Sequence, residues 1–65
     1  MKIFYDPEVD IVRIIFSDAA ISESDENKPG VIIDYDIDGN IVGMEIIEAS
    51  LRMDKPGSIE FEIAV

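Results

Sequence analysis

Apolar and polar positions follow one pattern in two stretches of the chain, thirty residues apart. Residues 5–12 carry Tyr-Asp-x-x-x-Asp-Ile-Val, and residues 35–42 carry Tyr-Asp-x-x-x-Asn-Ile-Val. Ile3 matches Ile33 at the same offset, so the similarity extends into the segment before each turn. A repeat whose apolar residues alternate on both sides of turn-forming residues predicts two copies of one β-hairpin.

The second hairpin is predicted to turn at Asp38-Gly39, because an Asp-Gly pair suits the two-residue turn that matches the twist of paired strands. With this turn, the facing apolar pairs are Val31 with Ile46, Ile33 with Met44, and Tyr35 with Val42. The outward face then carries the carboxylates of Asp34, Asp36 and Glu45. A slip of one residue buries carboxylates, so the register is well specified.

The first hairpin is predicted to have the same loop length, with strands at about residues 1–5 and 10–17. Its turn begins at Asp6-Pro7, where Pro7 fixes φ and lacks an N–H donor, as a turn tolerates and a central strand does not. The facing pairs, all apolar, are Met1 with Phe16, Ile3 with Ile14, and Tyr5 with Val12.

The rest of the chain predicts a connection, a short helix and a fifth strand. Residues 17–30 are polar and acidic and end at Pro29-Gly30, which indicates an exposed connection. Residues 49–53 suit one helical turn, and residues 58–65 alternate apolar and acidic side chains as a strand does. The predicted fold is mainly β, or α+β with one short helix: one domain over residues 1–65, an antiparallel five-stranded sheet of two repeated hairpins plus a C-terminal strand.

A single layer of short strands cannot cover its own apolar face. The second layer must come from curling of the sheet, from the short helix or from another chain. Apolar side chains also remain on the polar side, among them Ile15, Ile32 and Ile41. We therefore expect a homodimer.

Composition narrows the classes of function. The chain has 15 acidic and 5 basic residues, a net charge of -10, which disfavours nucleic acid and anionic membranes and suits a basic protein partner. It has no Cys and no His, so disulfides, zinc fingers and thiol or imidazole catalysis are excluded. Neither a signal peptide nor a membrane span is indicated, and a cytoplasmic location is expected.

One acidic stretch matches the spacing of a calcium-binding loop. Oxygen ligands fall at alternate positions, a glycine follows, and a glutamate takes the twelfth position; the residues are Asp34, Asp36, Asp38, Gly39 and Glu45. That loop requires flanking helices, whereas Pro29-Gly30 and the β-branched residues 31–33 lead into a strand. A calcium-binding hairpin is kept as the alternative function, and no metal or cofactor site is assigned.

The residue types present do not indicate a catalytic site. Five serines lack a histidine to activate them, and paired carboxylates would need a cleft that a small sheet rarely encloses. Tyr5 and Tyr35 stand at equivalent positions before the two turns and are expected to close the ends of the apolar face. Arg13 and Arg52 lie among carboxylates and are expected to form ion pairs. We predict that the chain is not an enzyme.

Several short elements together resemble the prokaryotic domain-of-unknown-function 2283 family. They are Tyr5-Asp6-Pro7-Glu8-x-Asp10, Ser17-Asp18, Pro29-Gly30-Val31-x-x-Asp34-Tyr35-Asp36, Gly39, and Val42-Gly43-x-Glu45-Ile46-x-x-Ala49-Ser50. The resemblance implies a small β-rich fold without an established activity, so no catalytic residue is carried over. The predicted function is that of a non-enzymatic interaction or self-assembly module, with an antitoxin-like role toward a basic protein as one form of it.

Overall fold

The protein forms one antiparallel sheet of five strands, followed by a short helix. The computed structural model describes all 65 residues. The elements are β1 (Lys2–Asp6), β2 (Ile11–Ile15), β3 (Glu23–Lys28), β4 (Val31–Tyr35), β5 (Ile41–Ile47) and α1 (Ala49–Arg52). The strand order is β1-β2-β5-β4-β3, so the repeated hairpins β1-β2 and β4-β5 lie side by side. The predicted mainly β, five-stranded antiparallel fold is confirmed.

The register within each hairpin follows the apolar pattern. Observed pairs that match the prediction are Ile3 with Ile14, Tyr5 with Val12, Val31 with Ile46, and Ile33 with Met44. The predicted pair of Tyr35 with Val42 is wrong, because a bulge after Asp34 shifts Tyr35 opposite Ile41. The predicted pair of Met1 with Phe16 lies beyond the ends of β1 and β2; the Phe16 N–H instead donates to the Val42 carbonyl at 2.9 Å.

The shift arises from the turn between β4 and β5, which is longer than two residues. Asp36 closes this turn: its Oδ1 accepts the N–H groups of Asp38 and Asn40, each at 2.9 Å. The first hairpin uses the same device, since the Glu8 N–H donates to Asp6 Oδ1 at 3.0 Å. An aspartate that binds the N–H two residues on is a common turn former, and here it recurs at the thirty-residue spacing of the repeat.

The fifth strand is not where the sequence pattern predicts it. β3 lies inside the predicted connection of residues 17–30, whereas the predicted strand at residues 58–65 does not form. All six residues of β3 are exposed at the sheet edge, so no alternation of buried and exposed positions reveals it. Charged side chains on an edge strand discourage pairing with other chains. The apolar alternation of the tail has no adjacent strand to pair with.

Helix α1 spans most of the predicted turn at residues 49–53 and closes one end of the sheet. Arg52 does not form the predicted ion pair; its guanidinium donates to the carbonyls of Ile47 at 2.9 Å and Pro29 at 2.7 Å. Gly30, at φ 83°, leaves the room that this guanidinium occupies, since a Cβ there would collide with it. These two hydrogen bonds tie α1 to the end of β5 and to the turn between β3 and β4. Neither this helix nor any other in the protein is long and apolar enough to span a membrane.

Candidate functional site

The inner face of the sheet carries apolar side chains that pair across four strands. It consists of Ile3, Tyr5, Val12, Ile14, Val31, Ile33, Tyr35, Met44 and Ile46, which alternate along β1, β2, β5 and β4 and pair across them. Val12 is buried, as is Val42, which precedes Met44 in the alternation along β5; Ile3 is exposed and the others are half-buried. Residues 56–59 border a depression with Ile3 and Tyr5 at the β1 side. Most of the inner face has no covering layer.

The overall dimensions are those of an open molecule with an extended tail. The molecule measures 34 × 33 × 18 Å, a thin slab, and its radius of gyration is 12.7 Å, against about 10.7 Å for a compact domain of this length. It exposes 5137 Å², whereas a compact monomer of 7.2 kDa exposes about 4,100 Å². No large side chain is fully buried. The single chain thus exposes about 1,000 Å² more than its size requires.

Asp10 is the centre of a hydrogen-bonded cluster that joins the first turn to α1. Its Oδ1 accepts the Tyr5 hydroxyl at 2.8 Å and the Ser50 N–H at 3.0 Å, and its Oδ2 accepts the Ser50 hydroxyl at 2.6 Å. The Asp10 carbonyl accepts the N–H of Ala49 at 2.9 Å. Asp10 has φ 57°, a conformation that aspartate tolerates better than most residues. The cluster therefore fixes the start of the helix.

The hydrogen bonds of this cluster set its protonation. The Ser50 hydroxyl, with further bonds from Tyr5 and the Ser50 N–H, lowers the pKa of the Asp10 carboxyl. The hydrogen bond to Asp10 raises the pKa of the Tyr5 hydroxyl. At neutral pH the aspartate is ionised and the tyrosine keeps its proton, so the pair is a stable donor and acceptor. Its geometry suits a structural link better than acid-base chemistry.

Acid should loosen this link. Because the folded pKa of Asp10 is depressed, its carboxylate contributes stability that is present above the unfolded pKa, about 3.9, and is lost as pH falls through the folded pKa. We expect the free energy of unfolding, measured by urea titration at pH 7 to 2, to fall less steeply below pH 4 in Asp10→Asn than in the unmodified chain. Asp38→Asn, at the tip of the other hairpin, is the control and should keep the full slope. Parallel curves for all three chains would refute the assignment.

Three of the four carboxylates of the calcium hypothesis serve separate structural purposes. The carboxyl of Asp34 accepts the Ser24 hydroxyl at 2.6 Å, Asp36 holds its own turn, and Glu45 pairs with Arg13 at 3.3 Å. Asp38 is exposed at the tip of the turn. No three acidic side chains are placed to hold a metal ion. Hydrogen bonds lower the pKa of the Asp36 carboxyl. The largest contribution comes from the Asn40 N–H, followed by the Asn40 side chain, and the N–H groups of Asp38 and Gly39 add to it.

Asp34 is more enclosed than its predicted outward position suggests. Its side chain faces away from the inner face, as predicted, but is only 7% exposed. Residues 17–21 fold over this part of the outer face beside Asp34 and Gly43. A Cβ on Gly43 would lie 3.1 Å from the Ile14 carbonyl oxygen and 3.2 Å from Asp34 Oδ2. Gly43 thus makes room for the buried carboxylate, and the sequence pattern alone does not show the covering segment.

Substitution of Gly43 should be costly for this reason. We expect Gly43→Ala to lower the free energy of unfolding by about 1 to 3 kcal/mol, because the added methyl group overpacks a closed site. Gly57→Ala is the matched control: a Cβ there meets only the Tyr5 ring, at an ordinary 3.8 Å. Urea unfolding followed by circular dichroism measures both. Equal stability of the two variants would contradict the close packing described here.

The outer face carries an open groove between the first turn and the central strands. It has a volume of about 540 Å³, and Phe4, Val9, Ile11, Arg13 and Glu45 are among its lining residues. The predicted ion pair of Arg13 is confirmed, since it binds Glu45 across the floor. Partly exposed pairs of this kind contribute about 0 to 1 kcal/mol. Residues of the first turn, β1, β2 and β5 line the groove, and the sequence pattern alone does not bring them together.

Comparison with known proteins gives one match. A family model described as "Protein of unknown function (DUF2283)" matches residues 2–50. No curated protein and no solved structure matches the chain significantly. The matched segment begins at β1 and ends at Ser50, so it includes the whole sheet and the Asp10 cluster and excludes the tail.

Proposed function

Since the chain belongs to the DUF2283 family of proteins of unknown function, we propose that it is a self-association module whose inner face is covered by the inner face of a second copy. The observation that carries this proposal is the inner face itself, an apolar surface of four paired strands on which most side chains are only half-buried. A single layer of strands cannot cover its own apolar face, and a second copy supplies the missing layer.

The geometry of the inner face suits packing against itself. Two sheets stack about 10 Å apart when both present apolar side chains, and a two-fold axis lets one patch meet its own copy. The paired strands β2, β5 and β4 present Ile14, Met44 and Ile33 in one row across the centre of the face. The centre of this face is thus apolar throughout, as the core of an interface requires.

Sedimentation velocity of the full chain, from about 1 to 500 μM, tests this proposal. The expected product is a dimer of about 14.4 kDa, twice the chain mass of 7.2 kDa. Salt should strengthen it, because two chains of charge -10 repel each other and salt screens that repulsion. A species of 7.2 kDa throughout the concentration range would overturn the proposal.

A basic protein partner is the second candidate, and the free edge of β3 favours it. Glu23, Asp25 and Glu26 stand exposed on a strand whose outer backbone groups are unpaired. A basic strand can add to such an edge and gain both backbone hydrogen bonds and charge complementarity. An antitoxin-like role, in which the chain covers a basic protein, is one form of this function.

The two candidates respond to salt in opposite directions. A lysine-rich strand-forming peptide serves as the probe, and we expect it to bind at 20 mM salt and dissociate near 500 mM. A variant with Glu23→Gln, Asp25→Asn and Glu26→Gln should lose the peptide and still dimerise. Peptide binding that is unchanged in this variant would exclude the β3 edge as the site.

A further inference from the structure

The C-terminal tail, residues 59–65, is an extended apolar segment without a partner. Its apolar side chains are largely exposed: Ile59 at 62%, Phe61 at 74%, and Ile63 at 79%. Past the Ser58 N–H, which donates to the Lys55 carbonyl, the backbone forms no internal hydrogen bond. An alternating segment with unpaired backbone groups is suited to join the edge of a sheet.

We propose that the tail of each chain adds as a strand to the β1 edge of a second copy, so that two copies exchange their tails. This inference rests on the proposed self-association and names the segment that locks it. Residues 56–59 already run beside Met1, Ile3 and Tyr5 at the β1 side of their own sheet, so the tail leaves the molecule next to the edge that it joins in the partner. The tail lies outside the family match at residues 2–50, so the exchange is argued from this chain's own residues.

Charge selects β1 over the other free edge. The sheet has two free edges, β1 and β3. β3 carries Glu23, Asp25 and Glu26, which would repel Glu60 and Glu62 of the tail. Glu23 and Asp25 lie on the inner face, so their charges would stand beside the apolar residues of the tail. Like charges on neighbouring strands are destabilising.

The faces of β1 match those of the tail. Ile3 and Tyr5 point to the inner face, where the apolar residues of the tail extend the apolar surface. Lys2 points to the outer face, with Arg13 on the neighbouring strand. Because side chains alternate along a strand, the same register places Glu60 and Glu62 on the outer face, near these two cations.

Loss of the apolar tail side chains should weaken the dimer. We expect the double substitution Phe61→Ser and Ile63→Ser to raise the dimer dissociation constant by about 100-fold or more, since two large side chains per chain lose their burial. Ile37→Ser is the matched control: Ile37 is 84% exposed at the turn between β4 and β5, far in sequence from the tail. An unchanged dissociation constant in the double variant would overturn the exchange.

Single cysteines distinguish exchange from a tail that folds back on its own chain. The protein has no native cysteine, so a Lys2→Cys chain can be mixed with a Glu60→Cys or a Glu62→Cys chain and oxidised. We expect at least one of these two mixtures to give a disulfide between the Lys2→Cys chain and the tail of the other chain. No such disulfide should form when a Glu23→Cys chain, with its cysteine on β3, replaces the Lys2→Cys chain. A dimer that forms without this cross-link overturns the tail exchange alone. A chain that stays monomeric overturns the proposed function as well.

Discussion

Ile33→Gln should convert the dimer into monomers at micromolar concentration. Ile33 lies on β4 in the centre of the inner face, opposite Met44, and is half-buried in the single chain. Burial of its remaining surface contributes about 1 to 2 kcal/mol, and a two-fold interface contains the residue twice. The dissociation constant should therefore rise by roughly 30-fold to 1,000-fold.

The adjacent residue supplies the control for this substitution. Ile32 has the same side chain and is also half-buried, but it points to the outer face. Ile32→Gln should lower the stability of the fold by a similar amount and leave the dissociation constant within about threefold. Sedimentation equilibrium gives both constants. Equal weakening by the two substitutions would mean that the inner face is not the interface.

Ala49→Asp should remove a large part of the protein's stability. Ala49 is completely buried at the start of α1, and its N–H donates to the carbonyl of Asp10. The new carboxylate would be enclosed without a cation, beside the ionised Asp10. An uncompensated buried charge costs about 3 to 5 kcal/mol, whereas a domain of 65 residues is stable by only about 3 to 10 kcal/mol.

Leu51→Asp tests whether the effect comes from burial or from the helix itself. Leu51 is 78% exposed on the same turn of helix, so this change should alter the free energy of unfolding by no more than about 0.5 kcal/mol. Far-ultraviolet circular dichroism and urea unfolding measure both variants. If Ala49→Asp unfolds cooperatively at the same urea concentration as Leu51→Asp, α1 is not closely packed against the sheet.

The hairpins could be predicted from the sequence because their signal is local. Alternation places Ile3 opposite Ile14 and Ile33 opposite Met44 once the turn is chosen, and the thirty-residue repeat supplies an independent check. The bulge at Tyr35 does not follow from the sequence, because Asp38-Gly39 predicts a two-residue turn. The turn instead depends on the hydrogen bonds that Asp36 accepts, and these lengthen it.

The remaining features depend on contacts between distant residues. Ser50 lies forty positions from Asp10, and no spacing rule connects a serine after a strand with an aspartate in an earlier turn. β3 has no buried face, so hydrophobic periodicity cannot identify it. The tail shows the opposite case, since its alternation predicts a strand although its own chain offers it no neighbour.

The Asp10 cluster gives a physical reason for one set of residues in the family resemblance. The motif at residues 5–10 and the pair Ala49-Ser50 lie far apart in sequence, yet Tyr5, Asp10 and Ser50 meet in one hydrogen-bonded link. The family match ends at Ser50, where this link is complete. These residues therefore maintain the fold.

Isotope-filtered nuclear Overhauser spectroscopy on an equal mixture of ¹³C-labelled and unlabelled chains tests the packing of two inner faces most directly. Contacts between chains should appear at the methyl groups of Ile14, Ile33 and Met44, and those of Ile32 on the outer face should show none. Contacts between chains at Ile32 in place of these three, or no contacts at all in a sample at millimolar concentration, would contradict the account.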